Sequence, residues 1–187
     1  MSSIVINGDT SGAVTLAAPL VAGTNTITLP AQTGTLETLG VGTAVASTSG
    51  TAIDFTGIPS WAKRITVMFN GVSTNGTSSY QVQIGNGSVI TTGYASGAYN
   101  GGGGTATTGF LIAAGAATLI FSGTMTLLNV SSNIWVSAST LVRTNDGVAS
   151  IGSGSITLSG TLDRVRITTV NGTDTFDAGS INIMYEG

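Results

Sequence analysis

From Ile65 to Val142 the chain carries no charged residue, and between its Gly, Ser, Thr and Asn breaks the apolar side chains alternate. A period of two sends successive side chains to opposite faces of a pleated strand, so this stretch is confined to β-structure. Ile65, Val67 and Phe69 share one face of ITVMFNG, and Tyr80, Val82 and Ile84 share one face of YQVQIG. In TLIFSGTMTLL the inward series is Leu119, Phe121, Met125 and Leu127, with Gly123 filling the gap. NIWVSASTLVR alternates through Ile134, Val136 and Ala138, leaving Trp135 and Leu141 on the other side. Beyond the uncharged stretch, LDRVRITTV sets Leu162, Arg164 and Arg166 opposite Val165 and Ile167, and INIMYE closes on Ile181, Ile183 and Tyr185. No segment has helical periodicity; Pro59-Ser60-Trp61-Ala62 predicts one short turn with Ser60 as its cap.

Turn chemistry divides these runs. Asn70-Gly71, Asn75-Gly76, Asn86-Gly87, Asp146-Gly147 and Asn171-Gly172 accept positive φ cheaply, as tight hairpins require. The expected fold is all-β: an antiparallel meander over residues 47–187, folded as a β-sandwich that is jelly-roll-like, behind a short N-terminal β arm that packs between subunits. GVGTAVASTSG has linker composition, which places the boundary near Val41–Ser49 and divides the chain into an arm, 1–45, and a β-domain, 46–187.

The arm argues for assembly. Thin strands bury too little surface to offset a backbone ordering cost of about 1–2 kcal/mol per residue. Yet Val14, Leu16, Leu20, Val21, Ile27, Leu29, Leu36 and Leu39 are too apolar for a free tail. Burying each against other copies of the chain, or inside a larger particle, would contribute about 1.5–3 kcal/mol. Val14, Leu16, Leu20, Ile27, Leu29 and Leu36 are therefore the expected attachment and subunit contacts. Sparse charge supports the same reading, because an uncharged surface costs little to desolvate.

Composition removes several chemistries. The 187 residues include no cysteine and no histidine, so disulfides, thiolate catalysis and imidazole bases are absent. Five cations against eight acids, a net charge of −3, cannot neutralise a phosphate backbone, and no nucleic-acid partner is expected. The apolar run GFLIAAGAATLIFSG, Gly109 to Gly123, is shorter than the roughly 20 residues of a spanning helix and reads as buried strands or a subunit contact, not a membrane insert. MSSIVINGDT has neither a basic region nor an apolar signal core, so synthesis in the cytoplasm is expected. Four Asn-x-Ser/Thr triplets, at Asn75, Asn86, Asn129 and Asn171, read as Asn-rich turns.

Hydrolysis of a glycoside needs two carboxyl groups across the scissile bond. Of Asp9, Glu37, Asp54, Asp146, Asp163, Asp174, Asp177 and Glu186, only Asp174 and Asp177 are close in sequence, and GTDTFDAG reads as a solvated turn before the last strand. Neither that pair nor Asn145-Asp146 has the spaced acids of a calcium loop. No enzyme activity, catalytic residue, metal or cofactor is expected. Gly101 to Gly104 lacks the lysine of a phosphate cradle and reads as a mobile surface loop. Tyr94, Tyr99 and Asn100 flank it in GYASGAYNGGGG, where aromatic rings beside hydrogen-bonding residues suit a receptor-binding loop. The alternative is that both tyrosines pack locally or at a subunit contact. Trp61 and Trp135 read as core or interface, and Lys63-Arg64 and Arg164/Arg166 as partners of acids or solvated side chains.

Three stretches resemble a known group of proteins. GDTSGAVTLAAPLVAGTNTITLPAQTGTL closely resembles an N-terminal module of tail-fibre and related virion proteins of tailed bacteriophages. SGTAIDFTGIPSWAKRITVMFNGVSTNGTSSYQVQIG is similar to a second segment of such proteins, and LSGTLDRVRITTVNGTDTFDAGSINIMYE to the end of the same module. Together they span about two-thirds of the chain and leave Gly93 to Asn145 as the stretch for receptor or partner specificity. The resemblance implies a homotrimer in the virion, its arm towards other phage tail or capsid proteins and its β-domain distal, facing a bacterial surface glycan or protein. It carries no ligand motif onto individual positions. The chain lacks a long shaft, so the implied part is a short tail fibre or tip protein; the alternative is a capsid head fibre or decoration protein with a purely structural role. A polysaccharide-degrading spike is a third, remoter possibility.

Overall fold

The computed structural model describes residues 3–7, 12–17, 37–112 and 114–187. The chain divides into two units, Met1–Leu36 and Glu37–Gly187. In the first, β1 (Ser3–Asn7) pairs antiparallel with β2 (Ala13–Ala17), Ile4 opposite Leu16 and Ile6 opposite Val14. Val5 and Ile6 are exposed. Of the expected attachment residues, Val14 and Leu16 stand in β2 and the positions of their side chains are not described; Leu20, Ile27, Leu29 and Leu36 lie outside the described residues.

The second unit is an antiparallel β-sandwich, and no helix occurs among its described residues. Its strands are β3 (Leu39–Val41), β4 (Val45–Ala46), β5 (Ala52–Thr56), β6 (Arg64–Thr74), β7 (Tyr80–Asn86), β8 (Ser88–Val89) and β9 (Ala95–Tyr99). They continue with β10 (Gly103–Ala106), β11 (Phe110–Ile112), β12 (Phe121–Ser131), β13 (Ile134–Arg143), β14 (Ala149–Thr157), β15 (Arg164–Thr169) and β16 (Phe176–Glu186). One sheet runs β10-β9-β14-β13-β12-β6-β16-β3, with β4 also on β16; the other runs β11-β7-β15-β5, with β8 on β7. The expected meander holds for β12-β13-β14, whereas β6 and β16 enter the large sheet by crossovers.

The alternation places the core. Ile65, Val67 and Phe69 face Tyr80, Val82 and Ile84 across the sandwich, with Phe121, Met125, Leu127, Val165, Ile167, Ile181 and Ile183 in the same buried cluster. Tyr80 packs edge-on against Phe121, ring centroids 5.3 Å apart. The apolar run 109–123 passes from one sheet to the other: Phe110–Ile112 is buried as β11 on β7, and β12 begins at Phe121. The turn at Pro59–Ala62 closes with the Ala62 N–H donating to the Pro59 carbonyl at 3.0 Å.

Two expectations change, and the inward face of β13, which the alternation left open, is fixed. First, the linker-like residues belong to the sandwich. β3 and β4 both pair with β16, and Ser47 is buried with its hydroxyl donating to the Ala178 carbonyl at 2.7 Å. The small residues there serve close approach, since a Cβ on Gly40 would run into the Tyr185 ring. The unit boundary therefore falls near residue 36, and Leu39, read as an arm residue, is an exposed residue of β3.

Second, Asn70-Gly71 makes a bulge inside β6 and no hairpin. Gly71 (φ 64°), Gly123 (φ 144°) and Gly179 (φ 92°) lie on three adjacent strands where the register slips between β6 and both its neighbours. Aligned bulges of this kind bend a sheet without breaking it.

Strand β13 presents Trp135, Ser137, Ser139 and Leu141 to the core, and Ile134, Val136, Ala138, Thr140 and Val142 outward. The inward serines follow from how near the other sheet comes. At this end β11 lies against β14, where a Cβ on Gly152 would sit 2.9 Å from the Leu111 carbonyl oxygen and one on Gly154 3.0 Å from the Phe110 ring. Only small residues fit beneath β11, so the more apolar face of β13 is the outer one.

Candidate functional site

Six carboxylates are committed to partners. Asp54 takes Arg166 in a bidentate pair at 2.7 and 2.8 Å, and Asp163 takes Arg164 at 2.8 and 3.2 Å. Asp146 takes Arg143 at 2.9 and 2.6 Å, and Glu186 lies 3.9 Å from Arg64. Asp174 accepts from Asn171 Nδ2 at 2.6 Å and the Ser78 N–H at 2.9 Å, and Asp177 accepts from the Ser73 hydroxyl. The Asp174 carboxyl thus ties the β15–β16 turn to the segment after β6, and these bonds hold it below the usual carboxylate range. Asp146 and Asp163 are likewise lowered, first by hydrogen bonds from Arg143 and Arg164. No group of three or more acidic residues that could hold a metal ion occurs among the described residues.

The two tyrosines expected in one binding loop part company. Tyr94 is 2% exposed and stacks edge-on against Phe110, ring centroids 5.0 Å apart. Its hydroxyl accepts from the Ile84 N–H at 2.8 Å and lies 3.2 Å from the Ile84 carbonyl and 3.1 Å from that of Ile90. β11 covers β7 only over Tyr80–Val82, and beyond its end the Tyr94 hydroxyl satisfies the backbone that a strand would otherwise pair. Tyr94 is therefore a core residue whose hydroxyl closes a gap at the sheet edge, which is the local packing that the sequence offered as the alternative.

Tyr99 is 55% exposed at the end of β9. It stands beside Ile151 in the register, over a shallow groove of about 670 Å³ floored by Gly97, Gly103 and Ser153. Asn100 follows it in the turn to β10, its N–H donating to the Gly102 carbonyl at 3.3 Å. Gly103 and Gly104, read as part of a loop, form β10 instead, because the pairing Gly103↔Tyr99 through Ala106↔Ser96 gives their backbone a partner.

Two features escaped the sequence reading. One is the outer face of β12, β13, β14, β9 and β10. Cross-strand rows run Thr124–Thr140–Ile151–Tyr99–Gly103 and Thr126–Ala138–Ser153–Gly97–Thr105, and Leu128–Val136–Ser155–Ala95 lies below them. No side chain on this face is charged.

The other is the outer face of the small sheet. Gln83 and Gln81 on β7 stand beside Arg166 and Thr168 on β15. Gln81 (3% exposed), Gln83 (5%) and Thr168 are buried polar residues, yet they line an open cleft of about 310 Å³. Thr108 pins both amides: its hydroxyl donates to Gln81 Oε1 at 2.7 Å, and its carbonyl accepts from Gln83 Nε2 at 2.8 Å. The available signal was the alternation itself, since placing Tyr80, Val82 and Ile84 inward sends two glutamines out on an interior strand. Compared with known proteins, the chain matches no family model, no curated protein and no solved structure.

Proposed function

We propose that this chain is a non-enzymatic structural component of a tailed-phage virion, a short homotrimeric tail fibre or tip protein whose β-domain meets the host surface. One observation carries the assembly part of the reading: the outward face of β13 is more apolar than its inward face, on a sheet surface without charge. A solvated sheet face is ordinarily the polar one, and a face without charge costs little to desolvate in an interface. At about 3.3 Å per residue and 4.8 Å per strand, the five strands present about 600 Å² per copy, or about 1,200 Å² for two copies, within the range of specific interfaces. Three such faces can meet around a threefold axis. The phage-like segments supply the setting, and the commitment of six carboxylates to partners supports a part that binds and holds over one that hydrolyses.

Light scattering on the full chain tests this reading. Three copies of an 18.5 kDa chain give about 55 kDa, and Thr140→Lys in the middle of the face returns the mass to one copy. A full-length chain that stays at 18.5 kDa at about 100 μM removes the basis for the proposal. Purified protein is further expected to compete with phage for adsorption to the host, and no competition at saturating dose counts against the surface-recognition role.

A further inference from the structure

The outer face of the small sheet holds a second candidate for contact with a ligand, on the other sheet from the Tyr99 groove. Side by side on β7 and β15, Gln83 meets Arg166 and Gln81 meets Thr168 in register, with Asp54 next to Arg166 on β5. These are not solvated surface groups: both glutamines and Thr168 are more than nine-tenths buried. Burying an amide costs free energy unless it is hydrogen-bonded, so each should be fully occupied by the protein. Gln81 is occupied at both ends, by Thr108 and by the Thr169 carbonyl at 3.3 Å. Gln83 is not. Its Nε2 donates to the Thr108 carbonyl, but its Oε1 accepts no hydrogen bond from the described residues and is not among their sealed, unpartnered atoms, and the residue lines the cleft.

The chemistry of the walls selects the ligand. Thr108 fixes both amides, so donors and acceptors stand pre-oriented, and amides present both kinds on one plane. Arg166 supplies the only positive charge in the lining, and the bidentate bond to Asp54 already fills its fork and cancels that charge. An anion therefore gains little here. A neutral polyol gains more, because each hydroxyl both donates and accepts and a pair of adjacent hydroxyls can bridge Gln83 and the Arg166–Asp54 pair. About 310 Å³ is at the small end of ligand pockets and holds one or two sugar rings. We infer that the Gln83–Arg166 cleft is a binding site for a neutral hexose unit of a glycan. This deepens the surface-recognition part of the proposed function and rests on it for its biological purpose; its chemistry is tested independently of assembly.

The test is a titration of the full chain, followed by the side-chain amide resonances of Gln81 and Gln83. The probes are the methyl glycosides of glucose, galactose and mannose to about 50 mM, with sodium sulfate and sodium acetate as anion controls. The expected result is a saturable shift of the Gln83 amide with at least one glycoside and none with the anions. Gln83→Met is expected to weaken that binding at least about tenfold. Thr91→Val removes a lining hydroxyl from an exposed position and weakens binding several-fold without unfolding the chain, while Tyr99→Ala leaves it unchanged. The inference is overturned if no glycoside moves the Gln83 amide, if the anions alone move it, or if Tyr99→Ala abolishes the shift. None of these outcomes depends on the mass of the assembly, so failure here leaves the fibre reading standing, and a monomeric chain leaves this one standing.

Discussion

Replacing Tyr94 by phenylalanine removes one oxygen and keeps the ring on Phe110, so it isolates what the hydroxyl does. In the native chain that oxygen accepts from the Ile84 N–H at 2.8 Å, in the gap between the end of β11 at Val82 and the start of the β8 pairing at Gly85. Tyr94→Phe leaves this buried donor without a partner, which costs about 1–3 kcal/mol. For a unit of this size, about 2 kcal/mol lowers Tm by about 4–8 °C. A second quantity comes from titration. Burial pushes the Tyr94 phenol up to about 12, from an ordinary value of 10.0. A raised acid favours the neutral form in the fold, so its contribution is complete below pH 10 and is lost as pH rises from 10 to 12. Two pH units correspond to about 2.7 kcal/mol. Urea unfolding, followed by the fluorescence of buried Trp135, measures both. The variant should be less stable by about 2 kcal/mol at pH 8, and the two curves should converge as pH approaches about 12. Equal stability at pH 8, within about 0.5 kcal/mol, would refute the edge-closing role. So would a wild-type chain that loses no more stability than the variant between pH 10 and 12.

Two further outcomes follow from the same structure. Deleting residues 1–36 should leave the β-sandwich folded, whereas deleting 1–45 removes β3 and its bonds along β16, lowering stability on the order of 3 kcal/mol by calorimetry. Equal Tm for the two truncations would mean that β3 contributes nothing to the sheet. Stability should be flat from about pH 5 to 9, because the chain has no histidine, and should fall below about pH 4. The lowered carboxyls of Asp146, Asp163 and Asp174 contribute stability that is present above the unfolded-state carboxylate range and lost as pH drops through their folded values. A transition centred between pH 5 and 8 would contradict this assignment.

The fold was legible where one face of a strand is wholly apolar. ITVMFNG, YQVQIG and INIMYE needed only the period of two, because their inward residues fill a wide part of the sandwich with large side chains. It was illegible where the two sheets come close. Beneath β11 the core is built from Ser137, Ser139, Gly152 and Gly154, so apolarity no longer marks the inside and β13 read without a clear inward face. Small residues misled in the same way in GVGTAVASTSG, where Gly40 leaves room for the Tyr185 ring on β3. Asn70-Gly71 has the composition of a hairpin turn, but its neighbours Gly123 and Gly179, distant in sequence, make it one of three aligned bulges. For the candidate sites, Tyr94 and Tyr99 have like neighbours in sequence, and only the termination of β11 beside β7 separates a core hydroxyl from an exposed ring. The glutamine cleft was hidden for another reason: its polar residues are buried by a loop, Thr108 above all, that sequence spacing does not place over them.

The central claim, that the uncharged face of the large sheet is covered by sister copies, is most directly tested by thiol labelling. The chain has no cysteine of its own, so Thr140→Cys on the face and Thr173→Cys on the β15–β16 turn each carry one reporter, and both positions are exposed in the single subunit. At about 100 μM the Thr140→Cys chain should react with maleimide at least about tenfold more slowly than Thr173→Cys, and the difference should vanish on dilution below the dissociation point. Equal and rapid labelling of the two at high concentration would show the face bare in solution and contradict the account.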